Sequence, residues 1–114
     1  MKIIRKETLD STNEYAAQLI QDSMAGSTFC VVADRQTSGK GRGSNQWNSE
    51  AGKNLTFSIV CFPKYLKAEN QFYLNKAIAL SVHEFVAALL PEKDVAIKWP
   101  NDIYTGNKKV AGTL

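Results

Sequence analysis

The sequence holds a single histidine, His83, and only two cysteines, Cys30 and Cys61, among its 114 residues. So few ligands give no CxxC pair and no histidine cluster, which excludes a structural zinc site. Each cysteine sits in an apolar, β-branched run, and both read as buried, reduced thiols. No apolar run approaches the roughly 20 residues of a membrane-spanning helix, and the N-terminus lacks a signal-peptide core. The expected location is therefore cytoplasmic, with no membrane partner. Charge excess is also small. A net charge of +3 fits a protein that handles a polyanionic small molecule but argues poorly for nucleic-acid binding. Internal repeats, linkers and low-complexity segments are missing too. With 44% apolar and 22% charged residues, the chain is not disordered over most of its length. It is long enough for one domain with one modest core, not for two.

What is present reads as alternating strands and helices. Met1 to Leu9 mixes Ile3, Ile4 and Leu9 with charges and forms a short strand. Ser11 and Glu14 stand three apart ahead of a helical pattern, as in a capping box, and Tyr15, Leu19 and Ile20 give that helix its apolar face until Gly26. Thr28 to Ala33 is a compact buried strand. Asp34 to Lys53 is polar, carries four glycines and has no periodicity, so it reads as one long loop of the kind that is functional or mobile. A strand follows over Leu55 to Phe62, then a helix from Ala68 to Leu90 stopped by Pro91. Val95 to Trp99 is a further strand. Gly106-Asn107, between Ile103-Tyr104 and Lys109-Val110, is a two-residue hairpin turn. The predicted class is α+β, a mixed sheet with helices packed on one face. The chain stops inside the apolar strand Lys109 to Leu114, which points to truncation.

Two segments carry candidate chemistry. Gly39-Lys40-Gly41-Arg42-Gly43 joins glycines, which let backbone approach a ligand closely, to two cations suited to phosphate or carboxylate. It is not a P-loop, because Asp34 and Gly41 stand where that motif needs Gly and Ser or Thr. A flexible surface loop with incidental basic residues explains the segment equally well. The second is Lys98-Trp99-Pro100-Asn101-Asp102, at the end of a strand. Lys98 and Asp102 could form a solvated ion pair, with Trp99 in the core and Asn101 serving a turn.

The combination is more specific than its parts. Ser11-Thr12-Asn13, then Gln36 with Gly39-Lys40-Gly41-Arg42 and Trp47, then Lys98-Trp99-Pro100-Asn101-Asp102, then Lys109-Val110-Ala111-Gly112 stand in this order. Together they resemble the catalytic domain of the biotin protein ligases, from Leu9 to Leu114. The resemblance implies a class II aminoacyl-tRNA synthetase-like fold, with residues 1–114 as the N-terminal portion of one catalytic domain and no DNA-binding domain before it. It implies a monofunctional ligase that binds no DNA. The expected enzyme makes biotinyl-5′-adenylate from biotin and ATP with Mg²⁺, then transfers biotin to a lysine of a carboxylase carrier domain. A homodimer is left open.

Residue by residue, the resemblance implies biotin contacts from Ser11, Thr12, Gln36, Gly39, Lys40 and Lys109. It implies nucleotide contacts from Arg42, Trp47, Asn101 and Asp102, with Asp102 also beside the metal. Lys109 and Arg42 are the expected catalytic cations. Many members have arginine where this chain has Lys40, so the charge stays but the bidentate fork is lost. Ser44-Asn45 also departs from the residues many members carry before the tryptophan. Two other readings compete: a lipoate ligase or octanoyltransferase relative, and a non-catalytic biotin-binding fragment. The 114 residues taken alone are expected not to complete the reaction.

Overall fold

A computed structural model describes all residues 1–114. The chain divides into two compact units, Met1–Lys64 and Tyr65–Leu114. No helix is long and apolar enough to cross a membrane.

The first unit is built on a three-stranded mixed sheet. Strand β1 (Lys2–Leu9) runs parallel to β2 (Phe29–Gln36), and helix α1 (Thr12–Leu19) lies between them in sequence. Parallel neighbours need such a crossover, and a helix is its usual form. The expected cap is present: Ser11 Oγ accepts from the Glu14 N–H at 3.4 Å. The helix runs on through a π turn, Ile20–Met24, before the break at Gly26. Ala16 of α1 packs with Phe29 and Val31 of β2 to form the core, lined by Ile4, Leu9, Tyr15 and Leu19. Phe29 is wholly buried. Phe29→Ala should therefore cost about 3–5 kcal/mol of stability, the usual range for emptying an aromatic site. Urea unfolding checks this, and a loss below about 1 kcal/mol would show that the core does not depend on this ring.

Between β2 and the following strand the structure corrects the reading of one long loop over residues 34–53. Strand β2 continues through Gln36 because β1 stays in register with it as far as Leu9↔Gln36. Two short strands, β3 (Gly39–Lys40) and β4 (Gln46–Trp47), then pair as a small hairpin. Strands of two residues are too short to show a period in the sequence. Strand β5 (Thr56–Val60) closes the sheet antiparallel to β2. It ends before Cys61, which is exposed, so only Cys30 is a buried thiol, and its burial pushes the thiol pKa up.

The second unit pairs helix α2 (Gln71–Leu89), entered through a 3₁₀ turn at Ala68–Asn70, with an antiparallel sheet of β6 (Val95–Lys98), β7 (Asp102–Thr105) and β8 (Lys108–Gly112). The helix packs against β6 and β7, and His83 Nε2 lies 2.8 Å from the Val95 carbonyl. Ile103, wholly buried, anchors the middle strand. The β7–β8 turn is the expected Gly106-Asn107, with Gly106 at φ +58°. That left-handed value is open to glycine without strain. The α+β class with mixed strand pairing is as expected; the strands, however, fall into separate sheets in the two units.

Candidate functional site

The expected site residues fall into two groups, one in each unit. In the first unit, the end of β2, the start of α1 and the β3–β4 hairpin converge. Ser11 and Thr12 are the two buried polar residues of the chain, at 3% and 4% exposure. The Thr12 backbone N–H donates to Gln36 Oε1 at 2.8 Å, joining residues 24 apart in sequence. A helix-start N–H has no partner within its own helix, so a side-chain acceptor placed there satisfies it. Thr12 Oγ1 lies 2.8 Å from Ser58 Oγ, and Ser58 Oγ also donates to Asn13 Oδ1.

The hairpin lies against this cluster. Gly39 is buried and pairs with Trp47. A Cβ on Gly39 would stand 2.4 Å from the Trp47 carbonyl oxygen and 2.7 Å from Gln36 Nε2, so only glycine fits. Lys40 Nζ reaches Glu14 Oε1 of α1 at 3.4 Å. Arg42 stands exposed at the hairpin tip, where its carbonyl accepts from the Asn45 N–H at 3.2 Å. Thus Ser11, Thr12, Gln36, Gly39, Lys40 and Trp47 are drawn into one neighbourhood, and Arg42 is not engaged with them.

In the second unit, Lys109 Nζ pairs with Asp102 Oδ1 at 2.9 Å, both side chains being part-buried. The β7–β8 register sets this pair: Asp102 faces Gly112 and Tyr104 faces Lys109, with an irregularity between Ile103 and Tyr104. Lys98 does not form the ion pair read from the sequence; its Nζ lies over the Tyr104 ring at 5.5 Å. Trp99 is not core either. It is 71% exposed and meets Phe72 edge-on at 6.2 Å. The Trp99–Pro100 peptide is cis. Asn101 binds the backbone of Thr113 twice, donating from Nδ2 to its carbonyl and accepting its N–H at 3.1 Å.

Asp102, expected beside the metal, stands at the start of β7. No group of three His, Cys, Asp or Glu residues comes together, and the Asp102 carboxylate is already engaged by an ammonium.

Sequence reasoning missed Ser58. Its signal was there: in β5 the part-buried positions are Thr56, Ser58 and Val60, so a hydroxyl occupies the inward face of the strand. An inward polar residue needs a partner, and here it has two.

The first unit thus holds a buried, hydrogen-bonded polar cluster beside a glycine hairpin, and the second, taken by itself, holds Lys109 paired with Asp102; the class is α+β. Comparison makes this specific. The model of the biotin/lipoate A/B protein ligase family matches residues 6–114, and the chain belongs to that family. It is 36% identical over 113 residues to the bifunctional ligase/repressor BirA of Bacillus spizizenii, covering 98% of this chain and 34% of that protein. It is 35% identical to the biotin–[acetyl-CoA-carboxylase] ligase of Paracoccus denitrificans, covering 92% of this chain and 42% of that one. Among solved structures, the biotin protein ligase of Aquifex aeolicus in complex with biotin and ATP matches with TM-score 0.79 and 37% identity, over 99% of this chain and 45% of that one. The Leishmania major enzyme in complex with biotinyl-5-AMP matches with TM-score 0.79 and 33% identity, over 99% and 51%. The chain thus spans about a third to a half of the length of these relatives.

Proposed function

We propose that the protein activates biotin with ATP and transfers it to a lysine of a biotin carboxyl carrier domain, in the cytoplasm. The observation that carries this reading is the cluster in which Gln36 accepts from Thr12 beside buried Ser11, in a chain whose relatives are biotin ligases. Polar groups fixed in this way suit an uncharged, hydrogen-bonding ring.

In the first step a biotin carboxylate oxygen bonds the α-phosphorus of ATP, the bond to the β-phosphate oxygen breaks, and pyrophosphate leaves. Two anions meet, so cations positioned before reaction stabilise the charge that builds up. Lys109, with its ammonium steadied by Asp102, and Arg42, exposed on its hairpin, fill this role. In the second step the neutral amine of the carrier lysine attacks the acyl carbon, the bond to AMP breaks, and the amine loses a proton. The hairpin's part is to fold over the adenylate and exclude water.

Biotin-dependent exchange of pyrophosphate into ATP by the full-length protein tests the reading. Exchange with lipoate instead would assign the chain to the other branch of its family, and biotin binding without exchange would make it a binding module. A related expectation concerns residues 37–48. The hairpin ladder holds only two residue pairs, so its amides should exchange quickly without ligand. Biotin or biotinyl-adenylate should slow that exchange by about 10-fold or more. Equal rates in both states would show that the hairpin does not close on ligand.

A further inference from the structure

We infer that Ser58 and Asn13 are positioning residues that fix which way the Thr12 hydroxyl points its proton, and so make Thr12 an acceptor for a ligand N–H. The inference rests on the biotin reading above, and it concerns how the site chooses its ring.

The direction follows from proton counting. A side-chain amide oxygen can only accept, so at the Ser58–Asn13 contact Ser58 Oγ is the donor and Asn13 Oδ1 the acceptor. A serine hydroxyl has one proton. With that proton committed to Asn13, Ser58 can only accept from Thr12 Oγ1, 2.8 Å away. The Thr12 proton is therefore held toward β5, and what its hydroxyl can offer a ligand is lone pairs. Gln36 is fixed in the opposite sense. Its Oε1 takes the Thr12 N–H, which leaves the Nε2 protons as the group it can offer, on the side of Gly39.

Together the two side chains offer an acceptor and a donor. That is the complement of an N–H next to a C=O, the edge of a cyclic urea. A dithiolane ring, as in lipoate, has neither group and would leave both side chains unsatisfied. Ser58 touches neither ring in this scheme. It acts through Thr12, and Asn13 acts through Ser58.

The test is calorimetric titration with biotin and with the two carbamate analogues in which one or other ring N–H is replaced by oxygen. The wild type should bind one of these analogues about 10²-fold or more weakly than biotin, because the Thr12 lone pairs then face an oxygen. In Ser58→Ala the Thr12 proton is free to rotate. Biotin should then bind about 10-fold more weakly, while the gap between biotin and that analogue shrinks to about 10-fold or less. Ser58→Thr, which keeps the hydroxyl, should restore the wild-type gap. Asn13→Ala should narrow it as Ser58→Ala does, so one poorly folded variant leaves the other to decide. Biotin binding with an unchanged gap in both alanine variants would overturn the relay alone. No biotin binding by the wild type would overturn the functional reading and the relay with it.

Discussion

Lys109→Ala in the full-length protein should lower biotin-dependent pyrophosphate exchange by about 10²-fold or more while leaving the fold intact, the scale expected for losing one electrostatic contact in the transition state. The argument starts from the turn. Gly106-Asn107 closes a two-residue hairpin, and the ladder behind it puts Lys109 opposite Tyr104 and within 2.9 Å of Asp102. An ion pair with both partners part-exposed adds little to stability. Its value is positional, because the carboxylate restrains a side chain that would otherwise sample many rotamers. Removing the ammonium should thus cost rate rather than stability. Wild-type exchange kinetics in a well-folded Lys109→Ala variant would remove Lys109 from the mechanism.

Gly39→Ala should weaken biotin binding by about 10²-fold, the penalty for displacing a positioning group by an ångström or so. A methyl there would stand 2.4 Å from a backbone oxygen and 2.7 Å from the Gln36 amide nitrogen. Neither distance can be held, so β3 must part from β4, and Gln36 must turn away from the hairpin or leave Thr12. Because the hairpin is a two-pair ladder apart from the core cluster, global stability should change little. Biotin affinity within about twofold of wild type would mean that the approach of Gly39 to Gln36 does not shape the pocket.

Much of this architecture is legible in the sequence. Periodicity located both helices, Ser11 announced the cap of α1, and Gly106-Asn107 announced the last hairpin. These features are local, so a single stretch of chain specifies them. The misreadings share a different cause. The strands β3 and β4 are two residues each, and β2 runs three residues beyond its apolar core because β1 continues to pair with it. Cys61 and Trp99 looked buried from their neighbours, yet each lies just past a strand end. Pairing partners decide such boundaries, and they lie elsewhere in the chain.

The site shows the same division. The order of motifs pointed to Thr12, Gln36 and Lys109. It did not say that Gln36 would satisfy the Thr12 N–H, nor that Asp102 would hold Lys109 rather than Lys98. Ser58 was passed over because one serine in a strand carries no motif; only the inward alternation of β5 distinguishes it.

The central claim is that the Thr12–Gln36 cluster receives the ring of biotin. Nuclear magnetic resonance titration of the full-length protein tests it most directly, following the Thr12 backbone amide and the Gln36 side-chain amide. The expected result is a saturable shift of both signals with biotin and none with lipoate at the same concentration. Signals that stay in place with biotin, or that move equally with lipoate, would contradict the claim.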